Sequence, residues 1–297
     1  MRLLVLGSAA GGGLPQWNCR CPVCSLAWAG DPRVAPRTQS GLAVSADGER
    51  WLLVNASPDL RQQILANPAL WPRDGRRHSP IEAVILTNAE IDHVLGLLTL
   101  RERQPFALHA TQATHAALAA NPMFTALDPA VVRRRDLVPE TVLSLAGLEF
   151  LPFPVLGKLP LYQEEAAPDG ELEAEILGLE IRSAGRRCML VPNCARITPD
   201  LCARLEGADL LLFDGTTFED DEMVRLGLSH KTAARMGHIP MAGPSGSLAG
   251  LGEVRVGRRV FLHLNNSNPT LITGSPEHAA VLAAGWELAF DGMELVL

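Results

Sequence analysis

Hydrophobic residues along this chain gather in short dense runs divided by Gly, Pro, Asn and Asp, and few stretches carry a helical period. Leu3-Leu4-Val5-Leu6 reads as a first buried strand, closed by the glycine-rich run Gly7-Ser8-Ala9-Ala10-Gly11-Gly12-Gly13. Gly41 to Ser45 and Trp51 to Asn55 read as a strand pair joined through Asp47-Gly48. Ile81 to Leu86, Phe106 to Ala110, Ala208 to Asp214 and Arg259 to His263 read as core strands, and Glu294 to Val296 as a short last one. Val142 to Pro154, Leu177 to Ser183 and Arg187 to Pro192 read as strands turning at Ala146-Gly147 and Gly185-Arg186. Helices are predicted over Asp59 to Leu65, Gly96 to Arg103, Ala113 to Ala120, Leu201 to Leu205 and Pro276 to Ala284. Segment 215–251 is polar and Gly-rich, with a helical stretch near Lys231 to Met236, and is expected to cover a site. Strands early and late with helices between them predict an α/β fold in one domain spanning 1–297, two sheets face to face with helices outside.

Composition narrows the function classes. At 297 residues, 47% hydrophobic and 20% charged, the chain buries a sizeable core and is globular. A net charge of -7 argues against nucleic acid as a partner. No apolar run reaches the roughly 18 residues that span a bilayer. The start, Met1-Arg2-Leu3-Leu4-Val5, lacks the length and cleavage pattern of a signal peptide, so a cytoplasmic location with reduced cysteines is expected. The glycine run has no Gly-Lys-Ser/Thr ending and leads into Leu14-Pro15-Gln16-Trp17, which suits a loop whose backbone approaches other groups closely better than a phosphate cradle.

The stretch Leu86-Thr87-Asn88-Ala89-Glu90-Ile91-Asp92-His93 carries the chemistry. It resembles the metallo-β-lactamase-fold signature His-x-His-x-Asp-His, in which the first two His bind one metal and the Asp-His pair belongs to a second. Here the first two positions are Asn88 and Glu90, while Asp92 and His93 stand intact. Asp214 and His263 each end an apolar strand, and an ionised Asp behind Leu210-Leu211-Leu212-Phe213 is expensive without a cation or hydrogen bonds. Both match, in strand order, later metal ligands of that fold. The active-site ligand set is therefore Asp92, His93, Asp214 and His263. No His follows Phe153-Pro154-Val155-Leu156-Gly157-Lys158, where the third ligand of the first subsite is expected. Glu90 retains an oxygen to offer and Asn88 a hydrogen bond. A site of two His and carboxylate with open positions favours one Fe(II) and oxygen chemistry over dinuclear zinc hydrolysis.

Cys19-Arg20-Cys21-Pro22-Val23-Cys24 suits a structural Zn(II), three thiolates toward a tetrahedral set. Asn266 stands where related phosphodiesterases place a His; Cys194 and Cys202 are alternatives for the fourth ligand.

Together with Pro15-Gln16-Trp17-Asn18-Cys19, Arg37-Thr38-Gln39-Ser40 and Asn55-Ala56-Ser57-Pro58-Asp59-Leu60-Arg61, these motifs resemble the coenzyme PQQ (pyrroloquinoline quinone) synthesis protein B family across most of the chain. The resemblance implies an αββα metallo-β-lactamase sandwich, a structural Zn at the Cys loop 17–25, and a role in PQQ assembly. The chemistry it implies is iron-dependent hydroxylation of the tyrosine ring in a cross-linked Glu-Tyr precursor, with Fe(II) at the active site or Zn as purified. Two other readings stay open: a zinc hydrolase using the same ligands, and a carrier of PQQ or its precursor toward the periplasm. Partners would be the peptide-derived precursor and O2, without membrane insertion and with a homodimer admissible. For the substrate carboxylates the candidates are Arg61, Lys158, His230, Lys231 and His238, with Ser57, Asn88 and Glu90 nearby. Arg61 leads because it follows a strand-end loop. His238 sits in the covering segment as a candidate acid or base.

Overall fold

In a computed structural model, residues 1–160, 162–163 and 173–297 are described, the side chains of 173–175 excepted. Two seven-stranded mixed sheets face each other. The first has the order β14-β1-β2-β3-β4-β5-β6, with β1 at Arg2–Gly7, β2 at Gly41–Ser45, β3 at Trp51–Val54, β4 at Ile81–Ile85, β5 at Phe106–Ala110, β6 at Val132–Asp136 and β14 at Glu294–Val296. The second has the order β13-β12-β11-β10-β9-β8-β7. Its strands are β7 Leu143–Leu145, β8 Leu148–Lys158, β9 Glu173–Ser183, β10 Arg186–Val191, β11 Ala208–Asp214, β12 Val256–Leu262 and β13 Glu287–Leu288.

The runs are apolar throughout because both faces of each central strand are buried. In β11, Leu210 and Leu212 join Val5, Leu52 and Ile85 in the core between the sheets, while Leu211 and Phe213 face the outer layer with Leu201, Val281 and Trp286. On the other side, Leu4, Trp51, Val84 and Leu108 pack beneath Leu60, Leu97 and Leu118 from the outer helices. This is the αββα sandwich expected from the pattern. Strands β3 to β6 run parallel, as do β10 to β13. The loops at the carboxyl ends of such strands are where an α/β fold gathers a site.

Three elements differ from expectation. Leu95–Arg101 is 3-10 rather than α-helical. Pro22–Trp28 forms a helix, α1, inside the Cys segment, with Pro at its start and the Cys21 sulfur accepting from the Cys24 N–H at its cap. Strand β6, Val-Arg-Arg-Arg-Asp, shows one buried residue and four exposed ones, so apolar patterning misses an edge strand.

The motif residues near the chain start act as ties. Ser8 and Thr38 each donate through N–H and hydroxyl to the Asp291 carboxylate, and Gln39 donates twice to Asp59. They hold the glycine-rich loop against the sheet end, and a Cβ on Gly11 would sit 3.4 Å from Asp92 Oδ2.

His109, on β5, is buried, and neither ring nitrogen has a hydrogen-bond partner among the described residues. Burial, with Arg135 and His115 adding to it, lowers its pKa to about 4. The unfolded chain takes up this proton near pH 6.5 and the folded chain only near pH 4, so stability falls as pH drops through that window. His109→Leu is expected to flatten this acid slope by up to about 1.4 kcal/mol per pH unit, the value of one proton. Urea titrations at stepped pH measure it, and an unchanged slope refutes the assignment.

Candidate metal centre

A cavity of about 250 Å³ opens at the carboxyl ends of the parallel strands. The loop after β4 supplies Asn88, Glu90, Asp92 and the buried His93; β10 runs out to Asn193, β11 to Asp214 and Thr216, and β12 to His263. His263 holds φ at 61°, a left-handed backbone uncommon for a residue with a side chain, and its ring lines the cavity.

Two groups of ligand-type side chains meet here: Asp92, His93 and His263, and Asp214, His238 and His263, each with ligand atoms within 4.8 Å of one another. His93 is completely buried; Nδ1 lies 2.7 Å from Asn88 Oδ1, and Nε2 is buried without a partner among the described residues. The Asn88 carbonyl fixes the proton on Nδ1 and leaves a lone pair on Nε2. Burial lowers the His93 pKa to about 4, so the ring is neutral at physiological pH. His263 Nε2 lies 3.2 Å from Asp92 Oδ2. Burial opposes charge on His263, but the hydrogen bond and charge of Asp92, with Asp214 and Glu90, outweigh it and raise its pKa. Burial also opposes ionisation of Asp92, yet His93 and His263 hold its carboxyl below the ordinary range. An orphaned buried imidazole nitrogen, a carboxylate and a second imidazole fit one cation.

Asp214 is fully buried and well supplied with donors. Oδ2 accepts from His238 Nδ1 at 2.8 Å and from the Cys194 N–H at 2.9 Å; Oδ1 accepts from the Thr216 N–H and hydroxyl at 3.1 and 2.7 Å. Its pKa is lowered against the cost of burial by His238, His263 and Thr216.

The position of the first hydrolase subsite is otherwise engaged. Asn88 serves His93 and donates to Asn193 Oδ1 at 3.2 Å. Glu90 pairs with Lys158, Nζ to Oε1 3.7 Å, both side chains more than four-fifths buried. Gly237 packs on the Lys158 stem, with no room there for a Cβ.

Of the sequence candidates, Asn88, Glu90, Lys158, Lys231 and His238 line the cavity. Arg61, Ser57 and His230 do not. Arg61 and His230 are exposed, and Ser57 is buried with its hydroxyl donating to Gln63. Arg61 follows the strand-end loop in sequence, but helix geometry places it on the outward side of α2, Leu60–Ala66. The covering segment does reach the site, through Lys231, Met236, Gly237 and His238. Thr216, Asn193 and Asn265 also line the cavity and carried no sequence signal beyond their places after strands.

About the Cys loop, Cys19, Cys21 and Cys24 are buried and unoxidised, with sulfurs within 4.8 Å of one another. Asn266 Nδ2 lies 3.2 Å from the sulfurs of Cys19 and Cys24, and the Asn266 carbonyl 3.5 Å from that of Cys21. Rotating the amide by half a turn presents Oδ1 to the same sulfurs. Burial pushes the Cys21 thiol up to about 12 and raises Cys24 as well. Three clustered thiols facing one amide, two of them raised by burial, fit a cation that ionises them on binding. Cys194 and Cys202 lie elsewhere, their thiols donating to the carbonyls of Arg196 and Gly250.

Residues 50–264 match the beta-lactamase superfamily domain model. Coenzyme PQQ synthesis protein B of Methylobacterium nodulans is 58% identical across the whole of both chains. This chain belongs to the coenzyme PQQ synthesis protein B family. A family member from Xanthomonas oryzae pv. oryzae is 53% identical over the full length of both. The crystal structure of Zn(2+)-bound PqqB from Methylobacterium extorquens superposes with a TM-score of 0.97 at 55% identity over both entire chains. A diphosphatase of the PhnP family shares the fold, with a TM-score of 0.72 at 23% identity over 100% of this chain and 97% of that one. No helix among the described residues is long and apolar enough to cross a membrane.

Proposed function

We propose that this protein acts in PQQ biosynthesis as a mononuclear metal-dependent oxygenase, hydroxylating the tyrosine ring of the cross-linked Glu-Tyr precursor. Family membership supports the pathway. The observation that carries the reaction class is the use made of Asn88 and Glu90. Asn88 orients His93, and Glu90 holds the Lys158 ammonium, so a cation already stands beside the place where a hydrolase keeps its other metal. Asp92, His93 and His263 are the ligands of the single ion in this reading, with Asp214 as a further oxygen. Fe(II) held there would pass electrons to O2, the two that ring hydroxylation needs besides the substrate's coming from a reductant such as ascorbate, with the second oxygen atom leaving as water.

The chain's own groups then do the rest. Asp214 and Thr216 take the His238 Nδ1–H, leaving Nε2 toward the cavity as acceptor for the phenol proton. Lys158 and Lys231 meet the precursor's carboxylates, and Asn193 and Asn265 offer hydrogen bonds along the wall. Cys19, Cys21, Cys24 and Asn266 hold a structural Zn(II). The Zn(2+)-bound relative supports metal binding in the family.

Fe(II)-loaded protein given the cross-linked precursor and ascorbate is expected to consume O2 and to place oxygen from isotopically heavy O2 on the ring. Zn(II)-loaded protein should do neither. Hydrolytic cleavage by the Zn form without O2 uptake favours the hydrolase, and tight precursor binding without turnover favours the carrier; either result overturns the proposal.

A further inference from the structure

Thr216 stands two residues beyond the end of β11, buried at 4% exposure. Its hydroxyl oxygen has four polar neighbours: Asp214 Oδ1 at 2.7 Å, His263 Nδ1 at 2.9 Å, His238 Nδ1 at 3.0 Å and the His263 carbonyl at 3.1 Å. A hydroxyl has one proton to give and two lone pairs to offer. The proton goes to Asp214 Oδ1, the nearest acceptor and the charged one. Both lone pairs are then turned to ring nitrogens, and each of those nitrogens has to carry a hydrogen.

The two rings depend on this oxygen unequally. His238 Nδ1–H has a second and nearer acceptor, Asp214 Oδ2 at 2.8 Å. His263 Nδ1–H has Thr216 Oγ1 as its acceptor among the described residues. With a proton held on Nδ1, Nε2 is the nitrogen left to offer a lone pair once a cation replaces its 3.2 Å hydrogen bond to Asp92 within the Asp92, His93, His263 cluster. In the opposite tautomer a proton would point into that cluster, and a bare nitrogen would face a hydroxyl oxygen whose proton is already given away. The left-handed backbone of His263 adds to the need for an outside constraint, since a residue at φ 61° is held by its surroundings. Thr216 provides it on two levels: its carbonyl accepts the Asn265 N–H at 2.9 Å beyond His263, and its hydroxyl meets the ring.

We propose that Thr216 is a positioning residue: its buried hydroxyl, oriented by Asp214, sets the tautomer of His263 and so delivers the Nε2 lone pair to the active-site metal. This rests on His263 being a ligand of that metal, as proposed above.

The test uses the full chain, its Cys cluster filled, titrated with Zn²⁺ as the probe. Thr216→Val keeps the shape and removes the hydroxyl; Thr216→Ser keeps the hydroxyl. Thr216→Val is expected to weaken Zn²⁺ at the active site about 10- to 100-fold, the usual effect of losing a group that orients a ligand, while Thr216→Ser stays close to wild type. Imidazole nitrogen NMR of the Zn-loaded protein should show a slowly exchanging Nδ1–H on His263 in wild type and Thr216→Ser, lost in Thr216→Val. The His238 Nδ1–H should survive in all three, because Asp214 holds it. Equal affinity in Thr216→Val, or Thr216→Ser as weak as Thr216→Val, overturns the role of the hydroxyl. A wild-type spectrum in which Zn²⁺ leaves His263 Nε2 unmoved overturns the site reading itself, and this proposal with it.

Discussion

Cys21→Ser is expected to cost the protein its Cys-bound Zn and much of its thermal stability. The three thiols lie among Val23, Leu264, Phe213 and Phe261 in the outer core of the second sheet, so the loop they hold is part of that core. Cys21 also caps α1 through its sulfur. Burial raises this thiol to about 12, and a bound metal would turn it into a ligand. Structural Zn²⁺ contributes on the order of 10–16 kcal/mol to folding in small zinc domains, and a large sandwich with its own core depends on it less. A loss of even about 3 kcal/mol lowers the melting temperature by roughly 6–12 °C in a large domain. Elemental analysis and calorimetry, with and without a chelator, check this. Unchanged Zn content and melting temperature in Cys21→Ser would falsify the structural Zn site.

Asp92→Ala should empty the active site while leaving the Cys cluster loaded. Asp92 is the carboxylate of the cluster and holds His263 Nε2 at 3.2 Å. Without it, two imidazoles remain beside Lys158 with Asp214, whose oxygens already accept hydrogen bonds from Cys194, Thr216 and His238, and the cation loses the carboxylate best able to offset its dehydration. Groups that merely orient a ligand are worth about 10- to 100-fold in affinity, so removing a ligand should exceed that. His263→Ala is expected to behave alike, and O2 consumption should vanish in both. Metal counting on the two variants, set beside anomalous diffraction from the wild type, reads the result. Two adjacent ions near Asp92 in the wild type would end the mononuclear reading, and a full active-site complement in Asp92→Ala would end the ligand assignment.

The strand content was readable because burial on two faces leaves an unbroken apolar run whatever the neighbours are. Thus β4, β5 and β11 follow from local composition. The same holds for the candidate ligands at their ends: a carboxylate after Leu211-Leu212-Phe213, and an Asp-His pair after a buried strand, stand out where the chain is otherwise apolar. The spacing of Cys19, Cys21 and Cys24 likewise needs no tertiary information. Solvent-facing elements gave no such signal. Strand β6 buries one side chain and holds through pairing with β5, a property of its neighbour.

Long-range convergence was invisible along the chain. Asn266 meets Cys19 across 247 positions, and His263 meets Asp92 across 171. Lys158 ends a strand like any other residue until the fold puts its ammonium against Glu90, and Thr216 is an ordinary turn residue until His238 and His263 close on its hydroxyl. Arg61, chosen for its place after a loop, faces away because the turn of α2 decides direction. Which residue types can bind a metal is a matter of local chemistry and was legible from order alone. Which lone pair points at it, and which charge fills the neighbouring subsite, depends on distances of about 3 Å between distant segments, and only the packing of the two sheets sets those.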